Sequence, residues 1–403
     1  MKISKSAAII TAILFSVSVI LSACQPVSEA DVQGTMQAAV NMTMTALPTL
    51  TTIPTLTSTP APTATATSIP VSYGPDNFPD NVNPLTGLTV SDPSILDRRP
   101  VMVKVSNFPR EGRPHAGLSQ ADIVFDYSTG EGANRFLALY YGQDSKQVGP
   151  IRSGRFIDGD LVSMYQGILG LMYAWKPEMD YIYNMLGYSR VLQGSQYTCP
   201  SICNKDLGIS EISWFADTAE MTVRYEKNES ALKTKPDLNG MAFATIPPEG
   251  GAAGTDFTMH FGLMNESQWK YDPSSKKYLA WIDNKLDENN YTMIPWVDRN
   301  NNQQLAFSNV IVVFANYETV YSGDTAHKVS LIGYSGKMLL FRDGQIYEGT
   351  WKGYSGVSPL QFFDANKNPM RLQPGNTWIC IVGNASPVSN DSAGVWKVVF
   401  SKP

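Results

Sequence analysis

Residues 99–105 read Arg-Pro-Val-Met-Val-Lys-Val, a run whose length and β-branched side chains are typical of a β-strand. Similar runs follow at 122–127 and 135–141, with loops rich in proline and glycine between them. Apolar residues then recur at helical spacing from Phe156 to Ile168, and the apolar run 168–175 predicts another buried strand. Strands interleaved with a helix indicate an α/β-type layer in this part of the chain.

The second half of the chain shows strong strand patterns and little helix. The run 305–314 predicts a buried strand, and 378–382 and 395–400 predict closing strands. The runs on either side of Asp343-Gly344 predict a hairpin, because this dipeptide suits the positive φ angles of a tight turn. We therefore predict an α+β fold, with an N-terminal α/β-type domain at 82–235 and a mainly β C-terminal domain at 250–403.

The chain begins with a segment typical of a bacterial lipoprotein signal. Lys2 and Lys5 precede an apolar run that is too short to span a bilayer well, and Leu21-Ser22-Ala23-Cys24 has the form of a lipobox. We predict a signal peptide at 1–23, acylation of Cys24 and a location on the extracytoplasmic face of the cell membrane. An ordinary signal peptide with a chance cysteine is the alternative.

Residues 24–81 differ sharply in composition from the rest, because threonine, proline, alanine and serine dominate them. Frequent proline removes backbone donors, and threonine offers little apolar area to offset the entropy of ordering. No lysine or arginine lies between Lys5 and Arg98, so this segment has no positive charge with which to bind anionic lipid headgroups. It predicts a disordered tether.

The charge balance excludes one class of partner. The chain has 31 basic and 36 acidic residues and a formal net charge of −5. A nucleic-acid-binding protein concentrates lysine and arginine, so we expect no nucleic acid partner. The lipid on Cys24 is the only membrane contact that we predict.

Three cysteines remain after Cys24: Cys199, Cys203 and Cys380. Outside the membrane cysteines are usually paired, so we predict a disulfide between Cys199 and Cys203, with a link from either to Cys380 as the alternative. These three cysteines and three scattered histidines lack the spacing of a zinc site. We expect no metal, no cofactor and no catalytic residue of a recognisable motif.

The best candidate for a binding site is the stretch Gly149-Pro150-Ile151-Arg152-Ser153-Gly154-Arg155, which leads into the predicted helix. A helix N-terminus favours anions, and the guanidinium groups of Arg152 and Arg155 on either side of Ser153 suit a phosphate or a carboxylate. We predict an anionic ligand site formed by these three residues together with Arg113, Glu131 and Arg135. The alternative is a structural network in which the arginines pair with nearby aspartates and glutamates.

Several motifs resemble the YerB-like lipoproteins, a bacterial family whose N- and C-terminal domains have no known function. The resemblance covers most of residues 83–400 and is carried by NPLTGL at 83–88, GLSQADIV at 117–124, GPIRSGR at 149–155, FRDG at 341–344 and LQPGNTWI at 372–379. It implies an N-terminal lipid anchor, which agrees with the lipobox. Family members often carry histidines in the stretch corresponding to 170–215, whereas this chain has no histidine between His115 and His260.

We therefore predict an extracytoplasmic lipoprotein with a binding or scaffolding role at the cell envelope rather than an enzyme. Its partner would be a cell-wall component or an envelope protein. The alternative is a cell-envelope hydrolase acting on peptidoglycan or an anionic glycan, for which Asp122, Asp126, Glu131 and Asp158 are the available carboxylates.

Overall fold

The computed structural model describes residues 71–228, 231–262, 265–287, 290–321 and 326–402. The predicted signal peptide, Cys24 and residues 24–70 of the predicted tether lie outside the described residues. Residues 71–81, in contrast, belong to the folded part, because Ser72 and Tyr73 pair with a strand at 242–244 and Phe78 packs edge-on against Phe243. The tether prediction was therefore too long at its C-terminal end.

Three α-helices occur in the described residues: α1 (Phe156–Met164), α2 (Lys176–Leu186) and α3 (Thr218–Glu226). Short 3-10 helices lie at Pro93–Asp97, Arg110–Gly112, Leu118–Gln120, Tyr188–Arg190 and Ser210–Ile212. Among these residues, every helix is too short or too polar to cross a bilayer.

Strands make up most of the remaining described structure. In chain order they are β1 (Ser72–Tyr73), β2 (Val101–Ser106), β3 (Ile123–Gly130), β4 (Ala133–Tyr140), β5 (Ile168–Leu171), β6 (Val191–Gln193), β7 (Ile202–Asn204), β8 (Trp214–Ala216), β9 (Ala242–Ala244), β10 (Ala252–Gly262), β11 (Asn265–Asp272), β12 (Lys277–Asp287), β13 (Asn290–Pro295), β14 (Ala306–Phe307), β15 (Asn309–Thr319), β16 (His327–Ser330), β17 (Ser335–Arg342), β18 (Gln345–Lys352), β19 (Gln361–Phe363), β20 (Arg371–Leu372), β21 (Thr377–Gly383), β22 (Val388–Ser392) and β23 (Gly394–Val399).

A central mixed sheet runs through both halves of the chain in the order β19-β18-β17-β15-β21-β3-β4-β2-β5-β6. The two halves meet where β21 lies parallel to β3, with Thr377 opposite Ile123 and Ile381 opposite Tyr127. The described residues from 71 to 402 accordingly belong to one compact unit. The central sheet therefore continues across the predicted boundary at 235–250. That boundary marks a change from mixed helices and strands to mainly strands.

Both faces of the central sheet are buried, which explains why its strands are continuously apolar. Successive side chains on a strand point to opposite faces. On β2, Met102 joins the core that contains residues of α1 and α2, whereas Val101 and Val103 join a second core. A second sheet, with β10 to β14, β22 and β23, supplies the other side of that second core.

The sequence predicted the α+β class correctly, with an N-terminal part that mixes helices and strands and a mainly β C-terminal part. The predicted helix ends at Met164, and Ile168 instead begins β5. The hairpin at Asp343-Gly344 is confirmed, since Arg342 pairs directly with Gln345.

Replacing Gly344 with alanine is expected to lower the free energy of unfolding by about 2 kcal/mol. Gly344 has a φ of +72°, and an added Cβ would lie 2.7 Å from the ring of Tyr271. Gly250 has a φ of +80° with nothing within 4 Å of an added Cβ, so Gly250→Ala is the matched control for backbone strain alone. Urea denaturation measures both, and equal losses in the two variants would show that the ring contact has no cost.

Candidate functional site

The loop that precedes α1 is held at the carboxyl ends of two parallel strands. The backbone N–H of Arg152 donates to the carbonyl of Lys104 on β2 (3.0 Å), and the N–H of Met172, just after β5, donates to the carbonyl of Arg152 (3.1 Å). The carboxyl edge of parallel strands is where ligands bind in many α/β folds. The fold therefore places the predicted stretch 149–155 at a favourable position.

Arg155 is the residue that caps the N-terminus of α1. Its backbone N–H donates to Oδ2 of Asp158 (2.6 Å), which satisfies one of the free donors of the first helical turn. Its side chain extends toward α2, where Nη1 lies 3.5 Å from Oε2 of Glu178. The Arg155 guanidinium thus lies where α1 and α2 both begin.

Arg135 reaches the same loop from β4, and its Nη1 donates to the carbonyl oxygen of Ser153 (2.8 Å). Burial, reinforced by the positive charges of Arg155 and Arg152, lowers the pKa of Arg135 to about 9. The structure therefore brings Arg135, Arg152 and Arg155 together around Ser153, and we call these three residues the arginine cluster.

Three fully buried polar side chains lie next to the arginine cluster. Nζ of Lys104 is 3.2 Å from Oδ1 of Asp158, and the hydroxyl of Tyr127 forms hydrogen bonds with both groups. Burial lowers the pKa of Lys104 to about 7, the negative charge of Asp158 opposes this change, and the nearby arginines Arg135 and Arg155 add to it. Neither Lys104 nor Tyr127 was among the predicted site residues, although a lysine inside an apolar strand pattern was a usable signal.

The site has more positive than negative groups. Lys104 and the arginine cluster supply four basic side chains, against the carboxylates of Asp158, Glu178 and Glu211, the last of which acts on Arg152. Nε of Arg152, Nε of Arg155 and Oε1 of Glu178 are buried without a hydrogen-bond partner in the described part of the chain. Buried polar atoms of this kind are usually satisfied by a ligand or by ordered water. The arrangement suits a ligand that carries negative charge.

Two residues of the predicted site lie in other environments. Arg113 contacts Asp283 of β12 (Nη2 to Oδ1, 3.4 Å) and donates to Oδ1 of Asn107 (2.9 Å), next to the ion pair of Arg110 with the same aspartate. Glu131 is exposed in the turn between β3 and β4, with a φ of +53°. Arg113 therefore belongs to a structural network and Glu131 to a turn, so neither joins the arginine cluster.

The cysteines occupy two different settings. A disulfide joins Cys199 to Cys203, whose Cα atoms are 4.7 Å apart. Cys380 is a fully buried free thiol on β21. Of the pairings that the sequence left open, the structure has the one between the two closest cysteines.

Comparison with known proteins places this fold and this site in a family. A family model described as the N-terminal domain of a protein of unknown function, DUF3048, matches residues 85–197, and the model of its C-terminal domain matches residues 257–379. The YerB protein of Bacillus subtilis (strain 168), which is named provisionally as a lipoprotein, is 26% identical to this chain over 319 residues. The match covers 76% of this chain and 87% of the YerB protein.

The chain belongs to the YerB-like family. A crystal structure of the YerB protein from Bacillus subtilis has a similar fold, with a TM-score of 0.62 and 23% sequence identity over 75% of this chain and 96% of that chain. The first family model covers the arginine cluster and the Lys104, Tyr127 and Asp158 group, so the candidate site of this YerB-like protein lies within a domain whose function is not known.

Proposed function

We propose that this YerB-like protein is an envelope-anchored binding protein that takes an anionic ligand at the arginine cluster. One observation carries the proposal: the guanidinium groups of Arg135, Arg152 and Arg155 converge on one loop, and two of them keep a buried Nε without a partner in the described structure. Guanidinium groups with free donors favour phosphate and carboxylate ligands. A wall polymer or another acidic envelope component is the ligand class that this charge pattern favours.

Replacing Arg152 and Arg155 together with alanine is expected to weaken binding of inorganic phosphate by at least about tenfold, because each charge-assisted hydrogen bond is worth roughly 1.5–3 kcal/mol. Isothermal titration calorimetry of the full-length protein in detergent measures this change. Arg224 and Lys227 are exposed basic residues on and after α3, so Arg224→Ala/Lys227→Ala is a control of equal charge. Equal affinities in the two double variants would refute the site.

Lipid attachment at Cys24 is the second part of the proposal, and it is supported by the lipobox at 21–24 and by the family relationship. Cys24→Ala is expected to move the protein from the membrane pellet to the soluble or secreted fraction, because the acylated residue is lost. Cell fractionation with immunoblotting tests this, with Cys380→Ala as a cysteine control. Unchanged sedimentation of Cys24→Ala with the membrane would contradict the proposed anchor.

The hydrolase alternative receives less support from the carboxylates. Asp122 accepts hydrogen bonds from the backbone N–H groups of Tyr141 (2.6 Å) and Gly142 (2.9 Å), and Asp158 is paired with Lys104. Glu131 is in the exposed turn described above. Asp126, the fourth candidate, is fully buried. Glycoside hydrolysis requires two carboxyl groups that face one sugar bond, whereas Asp122 and Asp158 hold separate structural partners. We therefore favour binding over hydrolysis.

A further inference from the structure

A cavity of about 320 Å³ opens where α1 and α2 begin. Its described lining is Arg155, Trp175, Glu178, Tyr321 and Ala326. Arg155 caps α1, Trp175 caps α2, and Glu178 lies in the first turn of α2. The cavity is therefore adjacent to the arginine cluster and shares Arg155 with it.

One wall of the cavity is aromatic. The rings of Trp175 and Tyr321 meet edge to face, with centroids 4.3 Å apart and an angle of 84° between the planes. Both remain accessible, with 38% of Trp175 and 51% of Tyr321 exposed. Exposed large aromatic residues at a concave site usually mark a binding surface, and their rings can pack against the C–H face of a sugar while their polar atoms stay in water.

The cavity is also lined by a buried hydrogen-bond acceptor, the carboxylate of Glu178. Glu178 is only 2% exposed, yet its Oε1 has no hydrogen-bond partner in the described part of the chain. Burial raises the pKa of Glu178, and the charge of Arg155 opposes this. An unsatisfied buried acceptor costs roughly 1–3 kcal/mol, which a hydroxyl or amide donor from a ligand would offset.

We infer that this cavity binds an acidic saccharide. The sugar ring packs against Trp175 and Tyr321, a hydroxyl or amide N–H of the sugar donates to Oε1 of Glu178, and a carboxylate or phosphate on the sugar pairs with Arg155. The inference rests on the proposed function and specifies the class of its ligand. A purely anionic ligand would leave the aromatic wall and Glu178 unused, and a purely apolar ligand would leave Oε1 of Glu178 without a donor.

Three probes separate the parts of this ligand: N-acetylmuramic acid carries both a sugar ring and a carboxylate, N-acetylglucosamine carries only the ring, and lactate carries only the carboxylate. We expect N-acetylmuramic acid to bind at least about tenfold more tightly than either other probe. Each probe is titrated into the full-length protein in detergent, and binding is measured by ligand-observed NMR. Tenfold corresponds to about 1.4 kcal/mol, which is within the range of one ring contact or one charged hydrogen bond.

Trp175→Ala is expected to reduce the affinity for N-acetylmuramic acid about tenfold without changing the affinity for lactate. Tyr197→Ala is the matched control, because Tyr197 is 78% exposed and does not line the cavity. Trp175→Phe, which keeps an aromatic ring, is expected to restore most of the affinity and separates ring contact from a general loss of folding.

Equal affinities for N-acetylmuramic acid and lactate, together with no effect of Trp175→Ala, would overturn the saccharide inference. In that case, phosphate binding that still depends on Arg152 and Arg155 would leave the proposed function intact. If none of the three probes binds and phosphate also fails to bind, both the saccharide site and the proposed function are wrong.

Discussion

Replacing Asp158 with alanine is expected to lower the free energy of unfolding by about 3–5 kcal/mol, because the buried donors of Lys104 and Tyr127 both lose their acceptor. The side chains of Lys104 and Asp158 are fully buried, and the Nζ to Oδ1 distance is 3.2 Å. The same carboxylate accepts the backbone N–H of Arg155, so the variant also loses a hydrogen bond at the start of α1. Chemical denaturation at neutral pH measures the loss.

The double variant Lys104→Met/Asp158→Leu is the control, since it removes both charges together and is expected to recover at least half of the stability lost by Asp158→Ala. Burial lowers the pKa of Lys104 to about 7, so this lysine is mostly neutral at pH 9 and the loss in Asp158→Ala should be smaller there. A loss below about 1 kcal/mol at neutral pH would contradict the importance of this buried pair.

The second large effect concerns Asp126, a fully buried carboxyl on β3. Nδ2 of Asn134 donates to its Oδ1, whereas its Oδ2 has no hydrogen-bond partner in the described residues. Burial raises the pKa of Asp126 from the ordinary value of 3.8 to about 8, and the interactions with Asn134, Trp378 and Lys104 only partly oppose this. The folded protein therefore holds a proton that the unfolded chain releases above about pH 4.

The sign of the resulting pH dependence follows from proton linkage. Below pH 3.8 the group is protonated in both states, and the stability associated with its raised pKa is fully present. As the pH rises from about 4 to about 8, folding must take up a proton, so this stability is lost by up to about 1.4 kcal/mol per pH unit. Above about pH 8 the Asp126 carboxylate is charged in both the folded and the unfolded protein, and the free energy of unfolding stays at its lowered value.

Asp126→Asn removes this titration. We expect the free energy of unfolding of the variant, relative to the native protein, to rise by several kcal/mol between pH 5 and pH 8. Denaturation curves at several pH values for both proteins measure this difference, and contributions from titrating groups that do not interact with Asp126 cancel because both proteins share them. Parallel pH profiles would show that Asp126 does not ionise across this range.

Much of the fold could be predicted from the sequence because local patterns and the tertiary structure agree. The β-branched runs at 101–105 and 310–314 lie in strands and are buried on both faces, and Asp343-Gly344 forms the expected two-residue turn. The pairing of β21 with β3 could not be predicted, because it joins residues more than 240 positions apart and no local pattern records such a contact. The same long-range pairing explains why the two halves share one sheet.

The candidate site was predicted only in part, for a related reason. Arg152 and Arg155 lie on one loop, so their proximity could be predicted from spacing, and Arg135 joins them through the pairing of β4 with β2. Arg113 was assigned to the site from its position in a motif, but its partner Asp283 lies 170 residues away. Glu178 was missed because a glutamate in the first turn of a helix usually indicates only a favourable helix dipole interaction.

Co-sedimentation of the full-length protein with purified cell-wall sacculi tests whether the arginine cluster binds an acidic envelope component. We expect the native protein and Arg224→Ala/Lys227→Ala to sediment with the sacculi, and Arg152→Ala/Arg155→Ala to remain in the supernatant while still folded by circular dichroism. Equal sedimentation of all three proteins would show that the arginine cluster does not bind this component.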